Sequence, residues 1–239
     1  MASVLSRVKN SIPNTITCLN LFSGCVACVM ALESRYEWAL IFVIISAVFD
    51  FFDGLFARLL HAYTAIGKDL DSLADTVSFG LVPSLLVFSV LRESPLTPCT
   101  YIPYLAFLIS IFSALRLAKF NNDSRQTTSF VGLPTPANAL FWGAYIVGAL
   151  RHECASFLLH PWTLLTLVLV FSALLVSELP MFSLKVKCVS LRQNKIRFLF
   201  LVISVLLLCF LGISGFAAVI LWYILLSVIL AVCARSVAC

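Results

Sequence analysis

Charge is what this sequence has least of. Only 11% of its 239 residues are charged, against roughly 25% in soluble domains. Long polar segments are missing too. The longest, about 120–133 and 180–195, are too short to fold alone, so no separate soluble domain is expected. Low-complexity tracts and clear internal repeats are absent. Strict polar–apolar alternation is absent as well, which excludes an outer-membrane barrel. The opening MASVLSRVKNSIPN lacks the short apolar core and small-residue cleavage site of a signal peptide. Nine cysteines are scattered through apolar runs, and Cys25 and Cys28 form a CxxC. The second pair or polar setting that a zinc or redox site needs is missing, so they read as small packing residues. His61, His152 and His160 read as interfacial residues without chemistry. The net charge of +5 is modest, and no nucleic acid is expected as a partner.

What remains is apolar: 62% of residues, with a mean hydropathy of +1.06. A soluble core cannot absorb that much apolar surface. Segments near 20 residues recur along the chain, and that length crosses a bilayer as a helix. The expected fold is therefore an all-α integral membrane protein, a polytopic bundle of about eight transmembrane helices. The segments lie near 13–32, 36–60, 67–91, 100–120, 134–150, 159–179, 196–213 and 215–234. Only a short turn around Gly212–Gly215 separates the last two, but about 40 apolar residues cannot cross once. Residues 1–10 suggest a short amphipathic interfacial helix, with Val4, Leu5 and Val8 on one side and Arg7 and Lys9 on the other. With the N-terminus inside, 13 of the 16 Lys and Arg residues fall on the cytoplasmic side, and only Arg35, Arg92 and Arg151 fall outside. This bias puts both termini in the cytoplasm.

Against that apolar background, residues 49–76 read FDFFDGLFARLLHAYTAIGKDLDSLADT, with five aspartates. Asp50 and Asp53 are three apart near the cytoplasmic end of the second span, so they share a helix face. Asp71 and Asp75 are four apart at the start of the third. A short turn between His61 and Ile66 would set the two helices side by side, and the four carboxylates would converge. Like charges at such proximity must be neutralised, by protonation as in a proton relay or by divalent metal. All-oxygen ligation without His or Cys favours a hard cation, Mg²⁺, Mn²⁺ or Ca²⁺. Two bridged metals would suit phosphoryl chemistry. Carboxylates in a bundle also belong to cation- or proton-coupled transporters, which usually place them near the midplane. Here they sit at the cytoplasmic edge beside Arg58 and Lys68. Gly54, Ala57 and Gly67 leave room for a polar ligand or for close helix packing.

These residues fit a known pattern, D-x2-D-G-x2-A-R-x8-G-x3-D-x3-D, at Asp50, Asp53, Gly54, Ala57, Arg58, Gly67, Asp71 and Asp75. In this the sequence resembles the CDP-alcohol phosphotransferase family. The resemblance implies one membrane-embedded catalytic domain over 1–239: the interfacial helix 1–10, a six-helix core over 12–180 and two additional helices over 194–235. It implies that Asp50, Asp53, Asp71 and Asp75 hold two divalent ions, Mg²⁺ or Mn²⁺, with Asp75 also the general base. It implies a CDP–pyrophosphate site at Asn14, Thr17, Asp53, Gly54, Ala57, Arg58, Gly67 and Asp71. Pro13, Asn14 and Thr17 supply the family's Pro-Asn-x-x-Thr. SFGLVPS at 78–84, ALRLAKFN at 114–121 and FVGLPTPANA at 130–139 resemble the phosphatidylserine synthase branch. That likeness implies transfer of a phosphatidyl group from CDP-diacylglycerol to L-serine by direct displacement, at the cytoplasmic face of the membrane. Glycerol 3-phosphate and inositol phosphate remain as alternative acceptors. Arg116, Lys119 and Arg125 are cations that could hold the serine carboxylate, and Asn138 could hydrogen-bond the substrate. Membrane enzymes of this type often pair, so a homodimer is one expected state.

Overall fold

The computed structural model describes residues 2–62, 64–122, 130–151, 155–181 and 195–238. Among them every long element is a helix, and the only strands are two of two residues each. Helix α1 (Ala2–Leu32) is continuous. Its first turns occupy the stretch expected as an interfacial helix and run straight into the apolar span Ser11–Leu32. Helix α2 spans Tyr36–Leu59. A turn with His61 in the left-handed region (φ 50°) follows it. Thr64 then caps helix α3 (Ala65–Asp75), its Oγ1 accepting from the Gly67 amide at 2.9 Å.

Helix α3 does not continue as a plain α-helix. It passes through a π-helical stretch, Thr76–Leu81, into α4 (Val82–Glu93). Pro83 supplies a cause: it has no N–H to bond back to Phe79, and its ring crowds that carbonyl. The disturbed backbone is satisfied by hydroxyls. Ser84 Oγ (3.0 Å) and Ser110 Oγ (3.1 Å) both lie on the Gly80 carbonyl.

A 3-10 turn (Ile102–Phe107) leads into α5 (Leu108–Asn122). Helix α6 (Thr135–Leu150) is the central element, buried along most of its length. The single turn α7 (Ala155–Leu158) precedes α8 (Pro161–Val176). Phe141 of α6 stacks on Phe171 of α8 with ring centroids 4.0 Å apart. Strand β1 (Phe130–Val131) pairs antiparallel with β2 (Pro180–Met181). The Leu133 amide bonds the Leu174 carbonyl at 3.1 Å, tying the approach to α6 onto the end of α8.

Helices α9 (Lys195–Leu211) and α10 (Gly215–Ala238) form one apolar run broken only by a 3-10 turn. The chain reverses there. Gly212 sits at φ +58°, and the rings of Phe200 and Tyr223 lie 6.0 Å apart. A straight helix would separate those residues by about 35 Å. The eight expected apolar segments are all helical. Five helical runs, with α9–α10 taken as one, are long and apolar enough to cross a bilayer. Helices α6 and α8 are shorter, at 16 residues each. Large apolar side chains such as Phe22, Leu59 and Phe210 remain exposed on the outside, which suits a lipid-facing surface.

Cross-helix contacts fix the register of the first three helices. Asn14 meets Gly67, Asn20 meets Ser78 and Asp75, and Gly24 meets Ser78. Helices α1 and α3 are therefore parallel, with a nearly constant offset. Ser23 bonds the Phe42 carbonyl (2.9 Å) and Ser46 bonds the Asn20 carbonyl (3.2 Å), so α2 runs antiparallel to α1, which packs on both α2 and α3. A methyl group on Gly24 would come within 2.9 Å of the Ser78 Cα, which is backbone and cannot swing away. Gly24→Ala should therefore cost about 1–3 kcal/mol and lower the apparent midpoint of thermal unfolding in detergent. An unchanged midpoint would refute the close approach.

The charged side chains collect at the two ends of the bundle. At one end Arg151 pairs with Glu37 (Nη2–Oε1 2.6 Å), and Ser34 bonds Glu93. At the other lie Arg58, Lys68 and Lys119, with Lys68 Nζ on the Asn121 carbonyl at 3.0 Å.

Candidate active site

The four signature aspartates come together at the Arg58–Lys68 end. Asp50 and Asp53 descend on α2, and Asp71 and Asp75 rise on α3. Carboxylate oxygens of Asp50, Asp53 and Asp71 all lie within 4.8 Å of one another. Asp75 stands one turn further in, close enough to the other three for their charges to interact. Asp53 and Asp75 are buried, at 6% and 8% exposure. Two unit charges 4.8 Å apart repel by about 3–4 kcal/mol at an effective dielectric constant near 20. Among the described residues, no ion pair involves any of these aspartates. Asp71 Oδ1 is buried without a hydrogen-bond partner. A clustered, oxygen-only donor set with an unmet acceptor is what a hard divalent cation fits.

Helix α1 supplies the polar lining. Thr17 Oγ1 lies 2.7 Å from Asp53 Oδ2 and 3.0 Å from the Pro13 carbonyl. A hydroxyl has one proton, and the carboxylate is the stronger acceptor. One turn deeper, Asn20 Nδ2 donates to Asp75 Oδ1 at 3.4 Å, and the Asn20 backbone carbonyl accepts from Ser46 and Ser78. Asn20 is fully buried and joins three helices beneath the carboxylates. Its role was not anticipated, although Asn14, Thr17 and Asn20 recur every third residue on one helix face and could have been extended by one step.

A cleft of about 210 Å³ opens over this layer. Asn14, Thr17, Asp53, Gly54, Ala57, Gly67 and Asp71 all line it, as expected for the nucleotide site. A side chain on Gly67 would strike Asn14 Oδ1 and Thr64 Oγ1 at 2.9 Å, whereas nothing lies within 4 Å of a methyl placed on Gly54. Arg58 differs from expectation. It is exposed, its Nε donates to the Gly54 carbonyl of its own helix at 2.9 Å, and it does not line the cleft. Lys68 does line it, and that role was missed because the residue lies outside the signature.

The branch-specific stretches meet deeper in. Asn121 Nδ2 bonds Ser72 Oγ at 2.7 Å, and Ser113 packs on Gly80. Between those contacts, Arg116 of α5 falls within one turn of the level of Asp75. The guanidinium is 8% exposed and interacts electrostatically with Asp75. Its Nη1 lies 3.4 Å from Thr135 Oγ1, its Cζ lies over the Phe120 ring at 5.6 Å from the centroid, and its Nε has no partner. Asn138, one turn along α6 from Thr135, is fully buried with neither amide atom hydrogen-bonded. Unpaired buried amides are costly, so this pair has the marks of a site for a polar ligand. Lys119 is not brought there. It is exposed and pairs with Glu178 at 3.4 Å. Arg125 lies outside the described residues. His61 is exposed in the α2–α3 turn and His160 precedes α8.

Comparison with known sequences bears on this geometry. A sequence model of the CDP-alcohol phosphatidyltransferase family matches residues 10–233. The chain is 37% identical over 131 residues to the CDP-diacylglycerol–serine O-phosphatidyltransferase of Bacillus subtilis (strain 168), covering 53% of this chain and 70% of that one. It is 32% identical over 228 residues to the protein of the same name from Mycobacterium bovis, covering 92% and 74%. It is 30% identical over 156 residues to the archaetidylserine synthase of Methanothermobacter thermautotrophicus, covering 62% and 64%.

Proposed function

The chain belongs to the CDP-alcohol phosphatidyltransferase family, and from that premise we propose that it transfers the phosphatidyl group of CDP-diacylglycerol to the hydroxyl of L-serine, giving phosphatidylserine and CMP. The observation that carries this reading is the division of labour among the buried charges. Three aspartates form a tight group, two of them lining the cleft, while the fourth interacts with Arg116, whose partner Thr135 lies one turn from the unsatisfied Asn138. Phosphate chemistry and acceptor recognition thus meet at Asp75.

The cleft between Asn14, Thr17 and Gly67 receives the cytidine diphosphate, with Lys68 beside it for phosphate. Asp50, Asp53 and Asp71, with Asp75 alongside, would hold two Mg²⁺ or Mn²⁺ ions. Bound there, such ions would supply positive charge to the pyrophosphate and to the departing CMP. Thr17 fixes the Asp53 carboxylate, and Asn20 fixes that of Asp75. Arg116 pairs with the serine carboxylate, and Asn138 Oδ1 is available to the ammonium group. Asp75 takes the hydroxyl proton as the serine oxygen attacks the β-phosphorus. The new P–O bond forms to serine as the P–O bond to CMP breaks, and no side-chain nucleophile intervenes. Arg58 keeps its Nε on the Gly54 carbonyl and can assist through its two Nη groups, which that bond does not use. The active-site end carries Arg58, Lys68 and Lys119, and by the positive-inside bias this end and both termini face the cytoplasm.

Among the residues whose side chains are described Arg116 is the sole buried cation. One guanidinium suits a single carboxylate, whereas a phosphate-bearing acceptor would call for a denser basic pocket. The test is an acceptor screen in detergent with a labelled CDP-lipid. Serine should drive CMP release and form a labelled phosphatidyl product. Preference for glycerol 3-phosphate or inositol phosphate would overturn the assignment of serine. CMP release without a sealed compartment would also exclude coupled transport.

A further inference from the structure

We propose that Tyr223, on the C-terminal hairpin, is a positioning residue for the acceptor: its phenol steadies the Arg116 guanidinium in the orientation that receives the serine carboxylate. The inference rests on the functional reading above and extends it to a helix outside the signature.

The placement follows from register. Helix α10 packs along α6, with Ser214 against Gly148: a methyl on that glycine would lie 2.9 Å from Ser214 Cβ. The α6 chain enters at Thr135 and ends near this contact, while α10 starts from it, so the two run antiparallel. Nine residues beyond Ser214, at a rise of about 1.5 Å each, Tyr223 reaches the level of Ala139, next to Asn138. It is 9% exposed, and its ring meets Phe200 of α9 edge-on. It therefore points into the protein rather than to lipid. Arg116 and Tyr223 interact electrostatically. Helix α10 thus brings Tyr223 to the buried polar groups that α5 and α6 supply, Arg116 and Asn138.

Arg116 needs such support. A guanidinium offers five donors and no acceptor. Its bond to Thr135 is long, at 3.4 Å, and its Nε is unmet. The Phe120 ring centroid, 5.6 Å from Cζ, offers a cation–π contact but no hydrogen-bond acceptor of its own in the guanidinium plane. A phenol oxygen can accept a guanidinium N–H, which the Thr135 contact leaves in supply.

The experiment uses the full-length protein in detergent, with serine and CDP-diacylglycerol varied separately. Tyr223→Phe should raise the serine KM roughly tenfold, with kcat and the lipid KM changed less than about twofold and the thermal midpoint unaltered. Arg116→Ala should raise the serine KM further, and adding Tyr223→Phe to it should change little more. An unchanged serine KM in Tyr223→Phe, or additive effects in the double variant, would refute the inference while leaving the functional reading intact. A joint loss of thermal midpoint, kcat and both affinities would reduce Tyr223 to a packing residue and also refute it. A parent protein that ignores serine would instead defeat the functional reading, and this inference with it.

Discussion

Asp75→Asn protein should bind CDP-diacylglycerol normally yet release CMP about 10²–10⁴-fold more slowly than the parent, the usual range for loss of a general base. The substitution is nearly isosteric. The Asn20 amide, 3.4 Å from Asp75 Oδ1, can still donate to a carboxamide oxygen, so the α1–α3 contact survives. What disappears is a group able to take the serine proton. Because Asp75 lies one turn away from the tight trio, the variant should still bind divalent cation, though with some loss from the missing charge. Steady-state CMP release together with lipid binding in detergent measures both. Near-normal turnover in the folded variant would remove Asp75 from proton transfer.

Exhaustive chelation should bring turnover below detection, and Mg²⁺ or Mn²⁺ should restore it. The expectation comes from electrostatics. Three carboxylates within 4.8 Å, lacking any cation partner among the described residues, are worth about 3–4 kcal/mol of repulsion per pair unless countered. Asp71→Asn removes one charge and one unmet acceptor, so restoring activity should require a much higher cation concentration. Thr17→Val should be milder, since it frees the Asp53 carboxylate without deleting it. The check is CMP release titrated with each metal after dialysis against EDTA. Full activity in the chelated protein would overturn the metal-site reading.

The parts of this site that could be read from sequence are those set by short-range periodicity. The spacings of Asp50–Asp53 and Asp71–Asp75 fix shared faces whatever the tertiary fold, and the apolar run lengths fix the helices. Arg116 and Asn138 were suggested by resemblance, and burial with unmet polar atoms gives that suggestion physical weight. The remainder depends on which helix faces which. Arg58 belongs to the signature, yet its aliphatic stem follows its own helix outward. Lys119 lies one turn from Arg116, but α8 ends beside it with Glu178 and takes its charge. Tyr223 sits in a run so uniformly apolar that no periodicity distinguishes its inner face. The π-helical stretch was equally hidden: Pro83 announces a disturbance, but not that the helix will absorb it without breaking.

That stretch has a consequence for how the chain tolerates change. Each residue advances a helix by about 100°, so the widened turn at Thr76–Leu81 sets the rotational phase between the carboxylate-bearing half of a 29-residue rod and its apolar half. Deleting a single residue there would leave hydropathy and the spacing of the four aspartates untouched, yet swing the anionic face away from its partner on α2. Insertions and deletions should therefore be purged from this short window far more stringently than its bland composition suggests.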